Sequence, residues 1–323
     1  MSRDYFTNRQ DRYHIFSNRG LTDYYDTLHR TLRSISYKLV SAPEKVERFR
    51  LDWPDKNGCP EPYLSPVAFR THASKILSPL LRPSNSTLSS SATTFVYPLS
   101  QLTPLSSSTE DSLSTESTGI KHVLEVLAQE SFHNGKWVFT AGYFNPSESV
   151  KRGLLNAKST TGIIVNASAE ANGFFGSPNP SGYLPDAYII LARRFLQRVF
   201  NEGMSNAIKM EEWRHVPRGE KLDGWTYHAK GIWITSPGDT MPVLTLIGSS
   251  NFTRRSDRLD LESTCVVVTT DPTLQSRLAD EVDHLRSFAH ETSIEKLNAQ
   301  LKEGGWRRSL AVRAWVACVA GML

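Results

Sequence analysis

Between Ile120 and Leu301 the chain alternates helix-period runs with strand-like runs, and this alternation constrains its fold more than any other feature. IKHVLEVLAQESF reads as a helix, WVFTAGYF as a strand, ESVKRGLLNA as a helix and GIIVNAS as a short apolar strand. A helical pattern over 186–203 follows, then strands around Trp213, around His228, over 242–248 and over 264–269. Helices are expected from Pro272 and over 294–301. This order predicts an α/β fold, a mixed sheet flanked by helices, with ligands outside the strand ends where loops converge.

The first third is less regular. Leu21, Tyr25, Leu28, Leu32, Ile35 and Leu39 recur every three to four residues and predict an amphipathic helix over 20–41. Tyr5, Phe6, Tyr13, Ile15 and Phe16 give the amino terminus the look of a domain interior. Residues 51–118 form an irregular region broken by prolines, and 19 of the 36 residues over 83–118 are Ser or Thr. So little apolar surface cannot offset the entropy of ordering, so 83–118 is expected to be a disordered insertion or long surface loop.

A net charge of +4 without a concentrated Lys/Arg patch argues against nucleic acid and suits anionic lipid or phosphorylated substrates. Cys59, Cys265 and Cys318 are odd in number and have no metal-ligand spacing, so neither a disulfide framework nor a metal site is expected. The amino terminus has no signal-peptide h-region. The segment 307–323 ends in an apolar run, Ala314 to Leu323, about half the length of a spanning helix. It fits either a helix lying in a membrane surface, with Arg307 and Arg308 at the headgroups, or a buried terminal helix.

WTYHAKGIWI, residues 225–234, carries the chemistry. In a strand His228 and Lys230 project from one face, pairing a nucleophile or proton carrier with a cation that can hold phosphoryl oxygens. SPGD at 236–239 is turn chemistry, so VLTLI returns as a hairpin and brings Ser249, Ser250 and Asn251 back toward His228. Glu262 is a candidate acceptor for a histidine ring nitrogen. Each of these residues taken alone reads first as an ordinary turn or cap residue, and His14 and His29 read as structural.

His-x-Lys, then Gly-Ser-x-Asn, then a trailing Glu resembles the half-site of the phospholipase D superfamily, with Thr235 standing where an aspartate usually follows the lysine. YFTNRQDRY at 5–13, TAGYFN at 140–145, ASAEANGFFGS at 167–177, WTYHAKGIW and GSSNFTRRSDRLDLE at 248–262 resemble, in order, segments of the eukaryotic mitochondrial phosphatidylglycerophosphate synthases. The resemblance implies a pseudo-twofold enzyme whose halves each supply a His-x-Lys set. It makes 1–50 the remnant of a truncated first domain, with Asp11 at the position matching Glu262, and 119–306 the second domain. The first histidine and lysine would then precede Met1, as would any targeting sequence.

It further implies transfer of a phosphatidyl group from CDP-diacylglycerol to glycerol 3-phosphate through a phosphatidyl-histidine, with no cofactor and no metal. His228 would serve mainly as acid and base, with Lys230, Ser249, Ser250 and Asn251 on phosphoryl oxygens. Glu262 would orient a histidine, Tyr143, Asn145, Asn172 and Phe174 would shape the pocket, and Arg255 would meet a substrate phosphate. The implied location is the mitochondrion, peripheral on the inner membrane, with lipid contact through the apolar carboxyl end. A catalytically inactive structural protein, and another phosphodiesterase or nuclease of the same superfamily, remain alternatives on sequence alone.

Overall fold

The strand-like runs assemble into one eight-stranded sheet in a computed structural model, which describes residues 4–82, 91–107, 113–178, 180–215, 225–303 and 312–317. In chain order the strands are β1 (Thr94–Gln101), β2 (Lys136–Ala141), β3 (Thr161–Ala167), β4 (Ile208–Trp213), β5 (Lys230–Thr235), β6 (Leu244–Gly248), β7 (Glu262–Thr269) and β8 (Ala289–Glu291). Across the sheet they run β8-β4-β3-β2-β5-β6-β7-β1. The trio β2, β3 and β4 is parallel and the other neighbours are antiparallel, so the sheet is mixed, as the alternation predicts.

Parallel neighbours need crossovers, and helices provide them. With Arg19–Arg33 as α1, Pro66–Leu77 as α2 and Glu116–Leu127 as α3, the crossovers are α4 (Glu148–Leu155) and α5 (Leu184–Asn201). They are followed by α6 (Pro272–Arg286) and α7 (Ile294–Glu303). Alternate side chains of the central strands enter two cores. Phe139, Ile164, Met210, Ile232 and Ile234 pack with α3, α4, α5 and α7, whereas Val165, Trp213 and Trp233 pack with Leu278, Val282 and Leu285 of α6. A separate small cluster joins Leu28, Phe69, Ala73, Leu77 and Leu102 in the amino-terminal region.

Three expectations change. The Ser/Thr-rich segment is not one structureless insertion. Residues 94–101 form β1, paired with β7 over eight residues, and 116–118 open α3. Residues 83–90 and 108–112 lie outside the described residues. TFVYPLSQ holds enough apolar and aromatic side chains to pack, and Pro98 is tolerated because β1 is the edge strand. The expected helix over 20–41 stops at Arg33, and Lys38–Ser41 turns into a hairpin with Phe49–Asp52 that leaves Leu39 exposed. Phe6, Tyr13 and Ile15 are exposed, not interior.

At the carboxyl end residues 312–317 are helical, and Val312 and Val316 are completely buried in the larger core. Of the apolar run, Val316 is buried, Trp315 half-buried, and Ala314 and Ala317 exposed; 318–323, with Cys318, lie outside the described residues. Among the described residues no helix is long and apolar enough to cross a membrane.

The amino-terminal segment matters most for function. Arg9 and Gln10 pair in parallel with Thr226 and Tyr227, and the His228 amide donates to the Gln10 carbonyl. Arg12 then plunges into the sheet. Its guanidinium donates to the carbonyls of Lys230 and Leu246, to the Thr245 hydroxyl and to both carboxylate oxygens of Glu281, at 2.8–3.1 Å. It also stacks 3.8 Å over the Trp233 ring. Gly231 makes this possible, because a Cβ there would sit 1.9 Å from Arg12 Nη1 and 2.3 Å from the Leu246 carbonyl oxygen.

Candidate active site

The register of the sheet brings the predicted residues to one edge. Ala141, the last residue of β2, pairs with Lys230, the first of β5, so the loop after β2 and the segment before β5 leave the sheet together. The run through His228 is not one strand. It pairs with the amino-terminal segment at 226–227, breaks at His228 and Ala229, and joins the main sheet at Lys230. His228 and Lys230 nevertheless meet. The Lys230 ammonium lies 2.8 Å from Nδ1 and 3.0 Å from Nε2 of the ring and donates to the His228 carbonyl at 2.7 Å.

The carboxylate on the histidine is Asp11. Its Oδ2 is 2.9 Å from His228 Nδ1, across 217 residues of sequence. With Nδ1–H donated to Asp11, Nε2 keeps the lone pair that proton transfer requires. Burial pushes the His228 imidazole below its ordinary range; Asp11 opposes this, and Lys230 and Arg9 reinforce it. Burial also brings the Lys230 ammonium down to about 8, against the pull of Asp11 and Glu262. Lys230 is 3% exposed, so its charge is aimed and poorly screened.

Glu262, whose charge acts on Lys230, accepts from the Ser249 hydroxyl. Burial raises this carboxyl, and the Ser249 hydroxyl partly offsets the rise. Ser250 is 1% exposed and its hydroxyl accepts from the Phe252 amide, a contact within the turn. The turn requires it: Phe252 has φ +59° and needs outside support. Asn251 closes the turn; its amide donates to Ser256, and its buried Oδ1 has no hydrogen-bond partner among the described residues.

The other candidates divide. Tyr143 sets its ring edge-on to His228 with centroids 5.8 Å apart, stacks on Tyr188 at 5.3 Å and meets the partly exposed Phe174 at 6.2 Å. Asn145 and Asn172 are buried and shape loops: Asn145 Oδ1 accepts from Lys151, and Asn172 Oδ1 accepts from the Phe174 amide. Arg255 is largely exposed and bonded to Asp260 at 3.0 Å. Thr235 sits at the far end of β5, paired with Lys136, and the unusual residue there does not touch the site.

Sequence reasoning missed Arg9, Arg12, Tyr188 and Glu281. Arg9 and Arg12 lie within the YFTNRQDRY segment but carried no assigned role, and the glycine after Lys230 marks the close approach of Arg12. Among the described residues no group of three or more His, Cys, Asp or Glu side chains could hold a metal ion.

A histidine thus stands between a carboxylate and a lysine at the edge of a mixed, helix-flanked sheet. The fold itself resembles phosphatidylserine synthase from Haemophilus influenzae, with a TM-score of 0.57 over 78% of this chain and 53% of that one, at 19% identity. No family model matches the sequence. Its relatives include the CDP-diacylglycerol--glycerol-3-phosphate 3-phosphatidyltransferases of Saccharomyces cerevisiae and Schizosaccharomyces pombe, at 38% and 33% identity over 91% and 88% of this chain. The Mus musculus enzyme, named as mitochondrial, is 29% identical over 88%. The chain belongs to the family of these phosphatidyltransferases. It spans 57%, 62% and 52% of the three relatives' own lengths.

Proposed function

We propose that this chain is the His228-bearing part of an enzyme that transfers a phosphatidyl group from CDP-diacylglycerol to glycerol 3-phosphate, giving phosphatidylglycerophosphate and CMP. The observation that carries this reading is the Asp11–His228–Lys230 contact set, found in a chain related over nine-tenths of its length to phosphatidyltransferases.

The residues divide the work in two steps. In the first, a histidine supplied from outside this chain attacks the phosphatidyl phosphorus; the bond to the CMP oxygen breaks, and that oxygen takes its proton from His228. In the second, neutral His228 accepts the proton of the glycerol 3-phosphate hydroxyl, whose oxygen attacks the phosphatidyl-histidine and releases the first histidine. Asp11 holds the imidazole in one tautomer and stabilises the imidazolium that precedes the first step and is restored by the second. Lys230 meets the charge developing on the phosphoryl oxygens, and Ser249 and Asn251 line the same edge. By the pseudo-twofold symmetry, Glu262 orients the outside histidine as Asp11 orients His228. We assign the enzyme to the mitochondrion, for which the name of the Mus musculus relative is the support, and to the surface of its inner membrane.

The test is the product. The intact natural protein, given CDP-diacylglycerol and a mixture of glycerol 3-phosphate and serine, should form phosphatidylglycerophosphate and stoichiometric CMP. Because Lys230 must stay charged, turnover should fall as pH rises through about 8. Phosphatidylserine as the product, or release of phosphatidic acid alone, would overturn the assignment.

A further inference from the structure

The reading above leaves the phosphate that the acceptor itself carries without a ligand, and the amino-terminal ribbon supplies one. Arg9 pairs with Thr226 and Gln10 with Tyr227 in parallel register, so side chains two residues apart on the two segments share a face. Asp11 and His228 continue that face and touch. Arg9 is therefore on the His228 side of the ribbon, while Tyr227 enters the core behind it.

Its guanidinium position is fixed by a second observation. A Cβ added to Gly173 would lie 3.7 Å from the Tyr143 hydroxyl and 3.9 Å from Arg9 Nη2. Gly173, Tyr143 and Arg9 thus frame one notch, and the Tyr143 ring edges His228. The Arg9 charge is felt by both His228 and Lys230, each of which it disfavours as a cation. Arg9 is half-buried, whereas Lys230 is 3% exposed.

We propose that Arg9 is the specificity residue for the acceptor, gripping its phosphate monoester in the notch beside Gly173 while the acceptor hydroxyl faces His228. The chemistry distinguishes its role from that of Lys230. The transferred phosphoryl group is a diester with one charge, matched by the ammonium buried against the ring. The acceptor monoester is close to a dianion, and a guanidinium fork can hold two of its oxygens at once. This inference rests on the phosphatidyl-transfer reading.

The experiment measures steady-state kinetics of the intact natural protein and its Arg9→Gln, Arg9→Lys and Gly173→Val variants, varying glycerol 3-phosphate and CDP-diacylglycerol separately. Arg9→Gln should raise the KM for glycerol 3-phosphate about ten- to hundredfold, the worth of a charge-assisted hydrogen-bond pair. The KM for CDP-diacylglycerol should stay within about twofold, and the preference for glycerol 3-phosphate over glycerol should collapse. Arg9→Lys should recover part of the loss. Gly173→Val, which fills the notch without altering charge, should raise the same KM.

The pH profile gives an independent sign. His228 is faced by Asp11, Lys230, Arg9 and the Tyr143 ring, and of these Arg9 disfavours the imidazolium. The acid limb of kcat/KM should therefore move to higher pH in Arg9→Gln and stay in place in Arg9→Lys. An unchanged KM for glycerol 3-phosphate in Arg9→Gln, or an equal rise for the lipid donor, would overturn the proposal. Absence of product in the parent protein would sink the phosphatidyl-transfer reading instead, so the two failures are distinguishable.

Discussion

Asp11→Asn lowers kcat by two to four orders of magnitude, on the order expected when a catalytic imidazole loses the carboxylate that fixes its tautomer. The Asp11 carboxylate accepts the Nδ1 proton at 2.9 Å and leaves Nε2 to exchange protons with substrate. An asparagine carries no charge, and its amide can donate to Nδ1 as readily as accept. The ring then populates the tautomer whose Nε2 already bears a proton. The pH dependence separates this from simple misfolding. Asp11 raises the affinity of His228 for its proton, by hydrogen bond and by charge. Its removal lets burial, Lys230 and Arg9 act unopposed, so the acid limb of kcat/KM moves to lower pH, opposite in sign to Arg9→Gln. A fall in rate with the limb unmoved would make Asp11 a structural residue.

Arg12→Met destabilises the protein by about 3–5 kcal/mol, the usual cost of leaving one member of a buried ion pair without its partner. Arg12 is 1% exposed in its side chain and Glu281 21%, so water screens the pair poorly. Burial alone would raise the Glu281 carboxyl. The His14 hydrogen bond and the charge and hydrogen bond of Arg12 outweigh it and hold that group at about 2. The carboxyl is thus depressed below its unfolded range. The stability it contributes is complete above about pH 4.5 and is lost as pH falls through about 2. In Arg12→Met the thermal midpoint near neutral pH should drop by about 10 °C. Glu281→Gln combined with Arg12→Met should recover part of that drop, because the stranded charge is gone. An Arg12→Met midpoint within about 2 °C of the parent would show that the staple does not hold the amino-terminal segment to the sheet.

The site was legible in the sequence where chemistry and spacing coincide. His228 and Lys230 stand two apart in a strand-like run, and the SPGD turn returns the segment Ser249–Asn251 toward the same edge, where Ser249 meets Glu262. What could not be read is which carboxylate meets which ring. That depends on the pairing of residues 9–10 with 226–227, a contact between segments more than two hundred residues apart with no periodic signature. The same pairing hides Arg9 and Arg12, two arginines in a short charged segment that composition alone assigns to solvent.

The fold was legible from Ile120 onward because apolar periodicity there is strong. It failed at β1, where eight residues of edge strand are embedded in a Ser/Thr-rich run that looks unfoldable when averaged over its length. Ser250, Asn145 and Asn172 show a second thing that polarity alone does not reveal. They have the polarity of ligands but spend it on backbone amides and a lysine, because tight loops beside a site need internal donors and acceptors as much as a substrate does.

The most direct test of the central claim, that phosphatidyl transfer runs through His228, is a side-by-side time course of CMP and phosphatidylglycerophosphate formation by the intact natural protein and its His228→Asn variant, at matched thermal stability. Both products should appear together in the parent and fall at least about a thousandfold in the variant, as expected for loss of a group that acts in both steps. A variant that still makes phosphatidylglycerophosphate within tenfold of the parent rate would contradict it.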